Sequence, residues 1–174
     1  SGAELHYLDM DNPGEPIVFL ATEFNELEAE FSPDERWVAY ESNESGTLEI
    51  YVRPFPDGGG KWQISDGGGA YPHWSADGRE LFYRNNEGIV AVPIRGDGDA
   101  LSVGRQRQLF TGAFRGGLFG FQIGGTQYAD YDAVPDGGFV MMPDPEAASA
   151  ANVELVWMVT GFFEDLLDRV PVDR

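Results

Sequence analysis

Residues 31–40 read Phe31-Ser32-Pro33-Asp34-Glu35-Arg36-Trp37-Val38-Ala39-Tyr40, and residues 74–83 read Trp74-Ser75-Ala76-Asp77-Gly78-Arg79-Glu80-Leu81-Phe82-Tyr83. A third, shorter copy is Ala133-Val134-Pro135-Asp136-Gly137, followed by Phe139-Val140-Met141-Met142. The three aspartates stand 43 and then 59 residues apart, the longer interval carrying a glycine-rich insertion. Recurrence at this period marks a repeat architecture. Proline at the second turn position presets φ, aspartate caps the turn through its side chain, and glycine accepts positive φ. Such a turn joins two antiparallel strands, and the β-branched and aromatic run after it has the length of the second strand.

Further turns lie outward from each copy. Asn43-Glu44-Ser45-Gly46 leads into Leu48–Val52, and Asn85-Asn86-Glu87-Gly88 leads into Ile89–Ile94. Val153–Val159 is the corresponding third strand of the last copy, and Trp62-Gln63-Ile64 and Gln108-Leu109-Phe110 are fourth strands. Each repeat is thus a four-stranded antiparallel meander of the size of a β-propeller blade. Leu5–Leu8 and Ile17–Leu20 read as the third and fourth strands of a blade whose first half is missing. The predicted fold class is an all-β propeller fragment, divided as half blade 1–22, blade 23–66, blade 67–112 and blade 113–160 without its outer strand. Phe162, Phe163, Leu166, Leu167 and Val170 fall at helical spacing, so 161–174 is expected to form a short helix and tail.

Composition bounds the function. Of the 174 residues 42% are apolar and 13% aromatic, which suits stacked sheet faces. No run approaches the roughly 20 apolar residues of a membrane span, so membrane insertion is not expected. Thirty acidic against eleven basic residues give a net charge of −19, a field that repels phosphate backbones and argues against nucleic acid as a partner. Zero cysteines remove disulfides and thiolate chemistry and leave the compartment, bacterial periplasm or cytoplasm, open. Ser1-Gly2-Ala3 begins mid-pattern, and Val170-Pro171-Val172 reads as a terminus.

The phrase Phe31–Tyr40, with Glu41-Ser42-Asn43-Glu44-Ser45-Gly46 and Glu49-Ile50-Tyr51-Val52 after it, resembles the Pro-Asp repeat of TolB-like β-propellers, and Trp74–Tyr83 repeats it. The resemblance is strongest over residues 28–110. Glu35 replaces the family's glycine and Ala76 its proline; a non-glycine residue at positive φ costs only about 1 kcal/mol, so the fold tolerates both. Lys61–Ser65 and Phe163–Leu167 also look like the last stretch of long bacterial chains that join such a propeller to a kinase or peptidase, although no kinase or peptidase motif is present here. The resemblance implies a six-bladed ring, of which this chain supplies about half. A homodimer completing a ring of six to seven blades is therefore expected, with Leu5–Ala21 completing the deficient blade of its partner. A compact monomer, its ends covered by the tail helix and the Gly112–Gly125 insertion, is the alternative.

Candidate site residues follow from the repeat. A Ser-His-Asp triad needs a histidine, and only His6 and His73 exist; no nucleophile elbow is present, so catalysis within the chain is not expected. Gly67-Gly68-Gly69 reads as a blade-connecting loop rather than a phosphate cradle. Four residues before each repeat aspartate stand Glu30, His73 and Asp132; six before stand Glu28, Tyr71 and Asp130. In a propeller such positions line the channel, where Glu30, His73 and Asp132 would suit zinc, manganese or calcium, or would simply be polar lining with no cofactor at all. The strand aromatics Phe31, Trp37, Tyr40, Trp62, Trp74, Phe82 and Tyr83 read as core. Tyr71, Phe114, Phe119 and Phe121, beside Arg115, read as loop aromatics. Arginine and aromatic residues dominate protein hot spots, so Tyr71, His73, Arg115 and Phe119 are the candidate binding residues for a protein or peptide. Two roles follow: a non-enzymatic scaffold or sensor module, or an accessory propeller gating substrate for a catalytic domain elsewhere.

Overall fold

The computed structural model describes residues 2–57, 59–98, 100–112, 121–123, 126–128, 131–134 and 138–141. It is all β among these residues, every strand pair antiparallel. Residues 1–112 and 113–174 form two units. In the first unit β1 (Leu5–Tyr7) and β2 (Ile17–Leu20) make a two-stranded sheet. The meander β3 (Glu26–Phe31), β4 (Trp37–Ser42), β5 (Glu49–Pro54) and β6 (Trp62–Gln63) makes the first complete blade. The second complete blade is β7 (Ala70–Trp74), β8 (Glu80–Arg84), β9 (Gly88–Asp97) and β11 (Arg107–Thr111), with β10 (Ala100–Val103) extending β9 as a hairpin. In the second unit β12 (Phe121–Ile123) pairs with β13 (Thr126–Tyr128), and β14 (Tyr131–Val134) with β15 (Gly138–Met141).

The repeated turns are built alike. Ser32 Oγ donates to Asp34 Oδ1 at 2.6 Å and accepts the Trp37 N–H at 3.0 Å; Ser75 Oγ donates to Asp77 Oδ1 at 2.8 Å and accepts the Glu80 N–H at 2.9 Å. Those serine hydroxyls are the first reason that both aspartate carboxyls are held below the ordinary range. Glu35 occupies the glycine position at φ 57°, beside 67° for Gly78, so the departure from the repeat is absorbed as expected.

Side-by-side packing of the sheets follows from strand alternation. One face of the first blade, Trp37, Ala39, Ile50, Val52 and Ile64, packs with Trp74, Leu81, Tyr83, Val90 and Val92 of the second. The other face, Tyr40 and Tyr51, packs with Leu20, Leu5 and Phe19 of the two-stranded sheet. The second complete blade meets the first along β7, which packs against β3 and β4. This is the blade stacking of a propeller, in which each sheet buries both faces against its neighbours.

One hydrogen bond recurs three times and gives the two-stranded sheet its phase. The Gly69 N–H donates to the Leu48 carbonyl at 2.9 Å, and the Gly112 N–H to the Glu87 carbonyl at 2.9 Å, each linking the end of a blade to the residue before or just ahead of its third strand. The Glu26 N–H donates to the Ala3 carbonyl at 3.1 Å in the same manner. Strands β1 and β2 are thus placed ahead of β3 as β5 and β6 are placed ahead of β7.

Three expectations are corrected. Phe121 lies in β12, not in a loop, because Gly124-Gly125 separates two runs of strand-forming residues that pair as Phe121↔Tyr128. Strand β9 runs on to Asp97 and turns into β10, an extension the repeat did not announce; its Leu101 joins the core against Trp37. Phe31, read as core, is 45% exposed. The expected third strand Val153–Val159 and the C-terminal helix lie outside the described residues.

Candidate functional site

Strands β3 and β7 carry the same irregularity at the same repeat position. Their registers against β4 and β8 slip between Leu27 and Glu30 and between Ala70 and His73. Each bulge holds one residue in the left-handed region, Glu28 at φ 45° and Tyr71 at φ 54°. For non-glycine residues this is strained by about 1 kcal/mol or more apiece, and bulges re-aim the side chains that follow. The next matching pair is brought together: His73 Nδ1 lies 3.1 Å from Glu30 Oε2. Trp74 Nε1–H reaches the Glu30 carbonyl at 3.3 Å, tying the two first strands directly.

Beneath them lies Glu41 of β4, 2% exposed, whose Oε1 accepts the Tyr71 N–H at 2.6 Å. Burial pushes its carboxyl up to about 7; the Tyr71 N–H opposes that and the Glu28 charge adds to it. The site thus combines an acidic rim, a histidine paired with a carboxylate, and a buried carboxyl that titrates near neutrality.

A second buried carboxylate is held differently. Glu49 Oε1 accepts the N–H groups of Gly67 at 3.0 Å and Gly68 at 2.9 Å, and Oε2 accepts the Ser65 hydroxyl. Gly67 and Gly68, at φ 86° and 109°, aim successive N–H groups at one point. The glycine run is the blade-connecting loop predicted, and the anion it cradles is the protein's own.

Of the sequence-predicted residues, Glu30 and His73 are brought together. Tyr71 does not project from a loop: the bulge places it within β7, and it is buried. Asp132 is exposed on β14 in the second unit. Arg115 and Phe119 lie outside the described residues. No three histidine, aspartate or glutamate side chains gather as a metal site among the described residues. Glu41 and Glu49 escaped the sequence reading; the available signal was an acidic residue adjoining a strand of unbroken apolar character.

Fold and stacking define an all-β propeller fragment. In comparison with solved structures, the chain is similar to one assigned as a TolB from Agrobacterium tumefaciens, at 21% identity and a TM-score of 0.44, covering 62% of this chain and 42% of that one. It is also similar to TolB from Acinetobacter baumannii, at 20% identity and a TM-score of 0.45, covering 63% of this chain and 27% of that one. The matched region spans less than half the length of either protein. No protein-family model and no curated protein sequence matches the chain.

Proposed function

We propose that this chain is a non-enzymatic protein-binding propeller module whose recognition surface is its half blade, and that the occupant is a β-hairpin of a second copy. One observation carries the reading. Phe31 and Trp74 hold the same repeat position, yet Phe31 is 45% exposed and Trp74 6%. Trp74 is covered by the first blade; the sheet in front of Phe31 has two strands where the others have four. Ile17 and Val18 of β2 are exposed as well, at 46% and 54%. A missing pair of inner strands would cover this surface and pair the edge of β1. Strands β14 and β15 have the first- and second-strand phase that the half blade lacks, and the homodimer so formed would hold six to seven blades.

Sedimentation equilibrium tests the pairing. The expected result is twice the 19.1 kDa chain mass, falling to the monomer on Phe31→Glu. A monomer mass at every concentration would overturn it.

A further inference from the structure

We propose that β15 of one copy adds to β1 of the other in a single register, with Val140 opposite Tyr7, so that hairpin and two-stranded sheet make one four-stranded blade. This rests on the pairing between copies proposed above and names its contacts. The register follows from the repeat. The residues three before each repeat aspartate pair as Phe31↔Val38, Trp74↔Leu81 and Ala133↔Phe139, which makes Ala39, Phe82 and Val140 equivalent on the second strands. The recurring hydrogen bond to the Leu48, Glu87 and Ala3 carbonyls makes Val52, Ala91 and Tyr7, four residues further on, equivalent on the strands that follow. In both complete blades these two positions stand opposite each other, as Ala39↔Val52 and Phe82↔Ala91. The same rule sets Val140 against Tyr7.

Three observations independent of the counting agree with it. Ala39 and Val52 lie in the core with Trp74, whereas Phe31, at the Trp74 position, is 45% exposed and shares the Phe55 ring with Tyr7, each centroid 4.8 Å from it. Val140 is 44% exposed, so the register lays one uncovered apolar side chain over another. Among the described residues β1 pairs with β2 alone and β15 with β14 alone, which leaves an edge of each for the partner copy. Charge is compatible as well: in a chain with thirty acidic residues neither Leu5–Tyr7 nor Gly138–Met141 contains one, so no like charges come opposite each other. Each copy then contributes two complete blades and half of two shared ones, and two copies close a ring of six.

The chain has no cysteine, so introduced thiols read the contact directly. In β4–β5 the Phe55 N–H donates to the Arg36 carbonyl at 2.8 Å, and alternation from there makes Ala39↔Val52 a non-hydrogen-bonded pair. Such pairs hold their Cα atoms about 4.5 Å apart, within reach of a disulfide. Mixing Tyr7→Cys with Val140→Cys under mild oxidation is expected to give a covalent species of twice the 19.1 kDa chain mass. Either variant alone, and Asp9→Cys mixed with Val140→Cys, two residues out of register, should give at least about tenfold less. Val140→Glu, which alters an exposed side chain of the single copy, should weaken association at least about tenfold in sedimentation. It answers for the case in which Tyr7→Cys fails to fold. A dimer in sedimentation without the Tyr7–Val140 link, a stronger link through Asp9, or association undiminished in Val140→Glu overturns the register and leaves the homodimer standing. Capture of β15 by Val153–Val159 of its own chain would give the first of these. A monomer at every concentration overturns both.

Discussion

At the residue scale, two buried glutamates show how differently one side chain type is accommodated. Glu49 collects two backbone N–H groups and a hydroxyl; Glu41 collects one N–H and a neighbouring carboxylate. Glu49→Ala leaves three donors with no acceptor, so it should lower stability by about 3 kcal/mol in urea unfolding. Glu41 carries a sign that global stability can read. Its folded-state value lies above the unfolded one, so its contribution is complete below about 4.5 and is lost as pH rises through about 7. A shift of that size is worth about 3 kcal/mol. Wild-type stability attributable to this group should fall between pH 5 and pH 8, and the Glu41→Gln curve should be flatter over the same window.

At the scale of elements, the turn and the β9–β10 extension are the devices that set strand positions. Gly78 sits at φ 67° with only ordinary van der Waals distance between an added Cβ and Pro33, so Gly78→Ala should cost about 1 kcal/mol through backbone strain alone. Gly96 is constrained differently. A Cβ there would stand 2.9 Å from Trp37 Nε1, because the extension lies flat on the indole, and the Arg36 guanidinium donates to the Gly98 carbonyl alongside. Gly96→Val should lift the hairpin from the tryptophan, with a loss of about 1–3 kcal/mol and a red-shifted indole emission.

At the scale of the whole molecule, the half blade and the charge act against each other. The uncovered surface around Phe31 favours pairing, while two chains of −19 repel. Raising ionic strength from about 10 mM to about 150 mM shortens the screening length from about 30 Å to about 8 Å. Association should strengthen over that range in sedimentation experiments, and insensitivity to salt would show that charge does not oppose the pairing.

The all-β class and the positions of the strands of the two repeats at residues 26–111 were legible in the sequence because they rest on local chemistry. The Ser-x-Asp turns, the apolar runs and the 43-residue recurrence are each readable within a few residues. The equal repeat positions of Glu30 and His73 were also readable there, and the packed first strands bring the two side chains to 3.1 Å. Burial of Glu41, the inward turn of Tyr71 and the exposure of Phe31 depend on what the neighbouring sheet places against them. Only the packed structure decides those, because a repeat gives its members the same local conformation but not the same neighbours.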